Sequence, residues 1–292
     1  MRIALAAAVF LAACTKPPAP ADQLHDARGK PFTPMPRARI VSLAPHTTEI
    51  LAALGAADHL VAVDAWSDYP PAVTALPHLT GLAPSLETVV HYKPDLVVLP
   101  DSIPEVTAKL DQAGIAAFVC DANRLASLFT TLRELGRLLG HEAEAARVAA
   151  ALTARIDAVR ARTGARPPVT VFVALDLDDP HAPWTAGRGT FIDEVVTLAG
   201  GRNVAAAAPG SWLRYSLEAL LRADPDWIVL STIEQVTPAE ALTRLRGYEG
   251  WNRLTAVKEG RLIVIDPAYI ARPSPRIVDG LERLADTFGA ER

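Results

Sequence analysis

Apolar residues in this chain gather into short runs that do not alternate with polar ones, separated by stretches where they recur every three or four positions. The runs lie at residues 39–43, 60–63, 96–99 and 115–120, and again at 169–175, 227–231 and 261–265. A strand that is apolar without alternation is buried on both faces, as in a parallel sheet covered by helices. Strands of that kind alternating with helical stretches predict α/β units.

The pattern repeats once. Ser85-Leu86-Glu87 and Pro94-Asp95-Leu96-Val97-Val98-Leu99 are answered, 131 residues later, by Ser216-Leu217-Glu218 and Pro225-Asp226-Trp227-Ile228-Val229-Leu230. Each copy reads as a serine N-cap, a short helix, a Pro-Asp turn and a buried strand. A looser echo follows each copy: Gly114 introduces a strand ending at Asp121, and Gly260 one ending at Asp266. Two α/β units of one design are therefore expected, over residues 37–140 and 165–292.

Between them, residues 142–162 contain neither Gly nor Pro, and Val148, Leu152, Ile156 and Val159 fall on one helical face. At about 1.5 Å per residue this helix reaches roughly 33 Å, the width of a small domain. The expected architecture is α/β: two Rossmann-like lobes with mostly parallel central sheets, joined by one long helix (residues 141–164). The ligand cleft would lie between them, where small-molecule sites are common. A single helix packed along both lobes would allow only slight hinging.

The N-terminal pattern is different. Arg2, an apolar run from Ile3 to Leu11, and then Ala12-Ala13-Cys14 form a signal segment (residues 1–13) ending on a cysteine. The run is shorter than the roughly 20 apolar residues a membrane span takes. A small-residue cleavage site before cysteine is the bacterial lipoprotein pattern, with the Cys14 thiol accepting lipid. That places the protein in the periplasm or on the extracytoplasmic face, held to the membrane only through its anchor. The stretch from Thr15 to Pro36 carries six prolines and no sustained apolar period, so residues 14–36 are expected to form an extended tether.

Composition narrows the function classes. About 255 residues remain after Pro36, enough for two lobes. The formal net charge of -4 argues against a nucleic-acid partner. With Cys14 lipidated, Cys120 has no partner, and its apolar setting marks it as a core residue. His59, His78, His91, His141 and His181 are scattered and form no zinc pattern.

Taken in order, Arg39-Ile40-Val41-Ser42-Leu43-Ala44-Pro45, Thr48-Glu49, Ser67-Asp68-Tyr69-Pro70-Pro71, Ser85-Leu86-Glu87, Lys93-Pro94-Asp95-Leu96 and Arg272-Pro273-Ser274-Pro275-Arg276 resemble the helical-backbone substrate-binding proteins of ABC importers. Within that group they are most similar to the cobalamin-binding branch. The resemblance covers essentially everything after Pro36. It implies a bilobed fold, no catalysis, no cofactor beyond the transported ligand, and an ABC permease as partner. It also implies that Glu87 and Glu218, one per lobe, contact permease arginines. On the residues alone, each sits in the first turn after a serine cap, where a carboxylate is favoured and can accept a guanidinium; two capping acids without a partner would look the same. The chain is expected to act as a monomer.

Candidate ligand contacts lie where strands end: Pro45, His46 and Thr47, then Trp66, then Gly81 and Leu82 in the first lobe. The second offers Trp184, Trp212, Arg214, Tyr269 and Arg272. Aromatic faces suit a large macrocycle. The resemblance implies that Trp66, Trp184, Trp212 and Arg272 occupy positions where cobalamin binders place aromatic and arginine contacts. Trp66, Trp184 and Trp212 read as loop residues, while Trp227 and Trp251 read as core. Arg272 could equally be a solvated arginine. His46 could coordinate cobalt or haem iron, or cap the helix that starts beside it, and Tyr269 is the other candidate axial ligand should the ligand be haem; no resident metal site is expected.

Residues 79–84 hold no aromatic residue where some cobalamin binders carry one, which keeps haem and ferric siderophores open as ligands. Gly187-Arg188-Gly189-Thr190 lacks the lysine of a phosphate loop, and no Gly-x-Ser-x-Gly elbow occurs. A lipid-anchored α/β enzyme is the more distant alternative.

Overall fold

The computed structural model describes residues 23–290 except Arg37, Leu82 and Gln235. The signal segment and Cys14 lie outside the described residues.

The first lobe is a five-stranded parallel sheet, β1 (Ile40–Ser42), β2 (Leu60–Asp64), β3 (His78–Leu79), β4 (Leu96–Pro100) and β5 (Ala116–Cys120), in the order β3-β2-β1-β4-β5. Helices α1 (Pro45–Ala53), α2 (Leu86–His91), α3 (Pro104–Gln112) and α4 (Leu125–Leu139) cover it, and α5 (Glu142–Thr163) leads to the second lobe. There β6 (Val169–Ala174), β7 (Trp184–Ala186), β8 (Gly201–Asn203), β9 (Trp212–Arg214), β10 (Trp227–Ser231) and β11 (Leu262–Ile265) are accompanied by α6 (Phe191–Leu198), α7 (Leu217–Ala223), α8 (Pro238–Gly247), α9 (Thr255–Glu259) and α10 (Ile277–Ala290). The second parallel sheet runs β11-β10-β6-β8, and β7 and β9 form a separate antiparallel ribbon.

All seven expected strands are present, within a residue or two of the expected ends. The internal echo is structural to fine detail. Ser85 and Ser216 each accept a hydrogen bond from the amide three residues on, at 3.2 Å. Lys93 and Asp224, at the same offset, both adopt left-handed backbone, with φ 48° and 37°. The next aspartate pair, Asp95 and Asp226, accept the amides of Arg39 (2.8 Å) and Thr170 (2.7 Å), which tie each Pro-Asp turn to the start of the first strand of its own sheet. One supersecondary unit has thus been used twice.

Helix α5 buries Val148, Leu152, Ile156 and Val159, the face expected from their spacing. Its close approach to α4 depends on Gly136, where a Cβ would come within 2.6 Å of the Ala145 methyl. On the other side Arg155 donates to Asp279 (2.5 Å) and Glu282 (2.6 Å) on α10. The helix is therefore packed against both lobes.

The tether expectation fails over its last part. Leu24 and Asp26 are buried, Phe32 packs on Phe118 with ring centroids 5.1 Å apart, and Asp26 accepts the Val119 amide at the edge strand β5. Arg28 and Lys30 both pair with Asp111 at 2.7 Å. Apolar side chains, a buried carboxylate and these ion pairs together dock a proline-rich segment that has no helical or strand period to reveal it.

Candidate functional site

The junction of the lobes is organised by a charge cluster. Glu49, the fifth residue of α1, is buried with its side chain 2% exposed. Its carboxylate accepts hydrogen bonds from Arg276 Nε (2.9 Å) and Nη2 (2.5 Å), from Ser274 Oγ (2.7 Å) and from Arg272 Nη1 (3.3 Å). All four donors come from the second lobe. Arg276 also lies over the Tyr69 ring, 4.2 Å from its centroid. The Glu49 hydrogen bonds and charge raise the Arg276 pKa further against the cost of its burial. A buried carboxylate of this kind is held only because its lone pairs are satisfied by charged donors.

Arg272 extends the cluster. It donates to Asp68 Oδ1 (2.7 Å) and to the Trp66 carbonyl (3.3 Å), and its side chain is only 14% exposed. It is neither a solvated arginine nor a free cation facing the cleft. Burial works to raise the Asp68 pKa, but the hydrogen bond from Arg272 and the charges of Arg272 and Arg276 outweigh it and hold that carboxyl below its usual range.

Behind Trp66 a second network, mostly of hydroxyls, belongs to the first lobe. The Ser67 and Thr48 hydroxyls meet at 2.7 Å, those of Thr48 and Ser42 at 2.9 Å, and those of Ser42 and Thr47 at 2.7 Å. Asp64 accepts from the Ser67 hydroxyl and from the Trp66 amide (2.9 Å). Burial pushes the Asp64 carboxyl up, opposed by these donors and by Arg272. Thr47 is thus buried inside this network rather than presented to a ligand.

His46 does not cap α1, which begins at Pro45 after an uncapped Ala44. Its Nε2 is buried without a hydrogen-bond partner. Burial, reinforced by the charge of Arg272, lowers its pKa from 6.5 to about 4, so the ring is neutral at pH 7.

Trp184 and Trp212 do not sit in loops. They lie on β7 and β9, where Trp184 pairs with Arg214 and Ala186 with Trp212. Alternation along a strand puts these four side chains on one face of the ribbon. Trp66 is 48% exposed and Trp212 36%. Trp212 packs on Phe191, at 5.8 Å between centroids, and the Phe191 amide donates to the Asn123 carbonyl of the first lobe at 2.8 Å. Each lobe therefore brings one part-exposed indole to the junction: that of Trp66, whose backbone carbonyl Arg272 binds from across it, and that of Trp212, one residue contact from it.

Other expected contacts are placed differently. Arg214 is bound by Asp176 (2.8 Å) and lies over the Trp184 ring at 5.6 Å. Tyr269 is half-buried beside Arg276 and Arg283, at 5.5 and 5.9 Å. Gly81 is exposed, with φ +85°, and Leu82 lies outside the described residues. Trp227 and Trp251 are buried core residues, as expected. Buried Cys120 has its thiol pKa pushed up by desolvation. A cavity of about 350 Å³ opens at the carboxyl ends of β6 and β10, lined by residues including Asp176, Ser231, Thr232, Arg244 and Tyr248, and by none of the three tryptophans.

Glu87 and Glu218 are both exposed in the first turns of α2 and α7. Glu218 is paired with Arg222 one turn on; the corresponding position of the first lobe is His91. Among the described residues no group of three or more His, Cys, Asp or Glu side chains could hold a metal ion, and no helix is long and apolar enough to cross a membrane.

Glu49 and Arg276 were not singled out from the sequence, although both stand in the quoted motifs. The available signal was an acid inside the otherwise uncharged helical run 45–54, together with two arginines four residues apart near the opposite end of the chain.

Two parallel α/β lobes joined by one helix packed against both, with aromatic surface at their junction, define a bilobed binding protein. The chain belongs to the periplasmic binding protein family, whose profile matches residues 40–269, and it is a substrate-binding protein of the ABC-importer type rather than an enzyme. It is 29% identical over 258 residues to the uncharacterized ABC transporter substrate-binding lipoprotein YvrC of Bacillus subtilis, a match covering 86% of this chain and 79% of that one. A cobalamin-binding protein of Halobacterium salinarum is 31% identical over 261 residues, covering 86% and 69%. The crystal structure of a periplasmic heme-binding protein from Pseudomonas aeruginosa superposes with a TM-score of 0.76 at 28% identity, covering 88% of this chain and 94% of that one.

Proposed function

We propose that the protein captures cobalamin, or a related corrinoid, in the cleft between its lobes and delivers it to an ABC import permease. The observation that carries this reading is the pair of part-exposed indoles, Trp66 and Trp212, brought to the lobe junction from opposite lobes. Trp184 adds a third aromatic face on the same ribbon as Trp212. Large planar faces at low conformational cost suit a bulky macrocycle. The likeness to the Halobacterium cobalamin-binding protein supports the same ligand. Pro45 and Gly81 complete the proposed rim of the first lobe. Glu87 and Glu218 would dock the two lobes on permease arginines, and Cys14 would anchor the monomeric protein to the membrane, as the lipoprotein name of its Bacillus relative supports.

Haem is the second reading. It is favoured by His46, whose imidazole is neutral and whose Nε2 has no protein partner; the ring would have to turn this buried nitrogen into the cleft to reach a haem iron. A ferric siderophore is less well served. An anionic chelate wants unpaired arginines, while Arg214 and Arg272 are both engaged by carboxylates.

The test is titration of the protein lacking residues 1–14 with cyanocobalamin, haemin and a ferric hydroxamate, followed by tryptophan quenching. Submicromolar binding of cyanocobalamin alone is expected. Tight binding of haemin with none of cyanocobalamin would replace the first reading by the second.

A further inference from the structure

We infer that residues 24–32 form a clasp that shortens the membrane leash to the stretch before residue 23 and keeps the carboxyl end of the first sheet toward the bilayer. The inference deepens the proposed function and rests on its lipid anchor at Cys14.

The clasp stands in for a sixth strand. β5 is an edge of the first sheet, and an edge strand presents alternate backbone groups without partners. Here the Arg28 guanidinium donates to the Ala117 carbonyl (2.6 Å), the Ala27 amide donates to the Val119 carbonyl (2.9 Å), and the Asp26 carboxylate accepts the Val119 amide (3.3 Å). Asp26, its side chain wholly buried, also accepts the amides of Arg28 (2.9 Å) and Lys30 (3.0 Å), which closes the turn between them. Arg28 and Lys30 then reach Asp111 on α3, while Leu24 is buried and Phe32 packs on Phe118. Charge-assisted bonds and apolar burial together make the segment part of the lobe.

Its direction matters. Asp26 lies opposite Val119 and Arg28 opposite Ala117, so the clasp runs antiparallel to β5 and residue 23 emerges toward the carboxyl end of that strand. His25 accordingly lines a small cavity with Asp121 and Ser127, just beyond β5. A helix joining two parallel strands starts where the first of them ends. Helices α2 and α3 therefore begin at this same end of the sheet, and Glu87 lies in the first turn of α2.

Length then decides the orientation. The chain from Cys14 to Gln23, fully extended, reaches at most about 30 Å, where a tether free as far as Pro36 would reach about 80 Å. A folded body of this size is roughly 45 Å across. A leash shorter than the body it holds cannot let its point of attachment face away from the membrane. The end of the first lobe that carries Glu87 is thereby kept on the permease side.

The test uses the full lipidated chain in liposomes containing an acceptor lipid, with a fluorophore on one introduced cysteine. Glu105→Cys lies in the first turn of α3 and Gln112→Cys at its end; Cys120 is buried, so the introduced thiol takes the label. Energy transfer to the acceptor is expected to be higher from Glu105→Cys than from Gln112→Cys. Two changes should each erase that difference and lower transfer about twofold by restoring the longer reach. One is Asp26→Ala with Arg28→Ala, which frees the clasp. The other is a Gly-Ser insertion of about fourteen residues after Pro20, which lengthens the leash with the clasp intact. Equal transfer from both labels in the unaltered leash, or an insertion that changes nothing, would overturn the inference while leaving the anchor standing. A chain that does not float with the liposomes would refute the anchor at Cys14, and the inference with it.

Discussion

Acid should weaken this fold through His46, by an amount the structure sets. The pKa of this ring falls from 6.5 to about 4 on folding, because burial and the neighbouring Arg272 charge both oppose the imidazolium. Below pH 6.5 the unfolded chain takes up a proton that the folded protein refuses, so stability falls as pH falls, and the loss is complete only below pH 4. A shift from 6.5 to about 4 corresponds to about 3 kcal/mol in full, of which about 2 kcal/mol is already lost at pH 5. Against a typical total of about 5–15 kcal/mol this is a large single contribution. The perturbation that isolates it is His46→Gln, neutral at every pH. Urea denaturation of both proteins at pH 7.5, 6, 5 and 4.5 gives the difference in unfolding free energy, with other titrating groups cancelling. Wild type should lose stability relative to the variant steadily from pH 6.5 downward. A difference that stays flat between pH 7.5 and 4.5 would refute a histidine held neutral by the fold.

Three further outcomes follow from packing and charge. Leu152→Ala, on the buried face of α5, should cost about 2–5 kcal/mol in chemical denaturation. Gly280→Ala would drive a methyl into the Tyr269 carbonyl oxygen; a cost of about 1–3 kcal/mol is expected, with raised exchange across residues 269–276. The double reversal Glu87→Lys with Glu218→Lys should abolish ligand uptake by cells while the purified protein keeps its affinity, measured by transport and by titration; unchanged uptake would remove these glutamates from docking.

The architecture was legible because its signals are local. Continuous apolar runs marked the strands, and the spacing of Val148, Leu152, Ile156 and Val159 marked the inter-lobe helix. The repeat Ser85-Leu86-Glu87 and Ser216-Leu217-Glu218 marked the duplication, which the structure extends to Lys93 and Asp224. The ribbon of β7 and β9 was not legible, since strands of three residues beside Pro, Gly and Ser read as loops. The docked segment 23–36 was missed for a related reason: it is held by Leu24, Asp26 and Phe32 individually, not by a period. At the junction, Trp66 and Trp212 were found by residue type, but the pairing of Arg272 was not. Its partners Glu49 and Asp68 lie more than 200 positions away, and only the fold shows that three acceptors converge on it.

The most direct measurement is a crystal structure of the protein lacking residues 1–14 grown with cyanocobalamin. Density for one corrin ring lying between the lobes, with Trp66 on one side and Trp212 or Trp184 on the other, is the expected result. A corrin ring bound away from all three tryptophans, or a cleft left empty by cyanocobalamin but filled in parallel crystals grown with haemin, would contradict the proposed site.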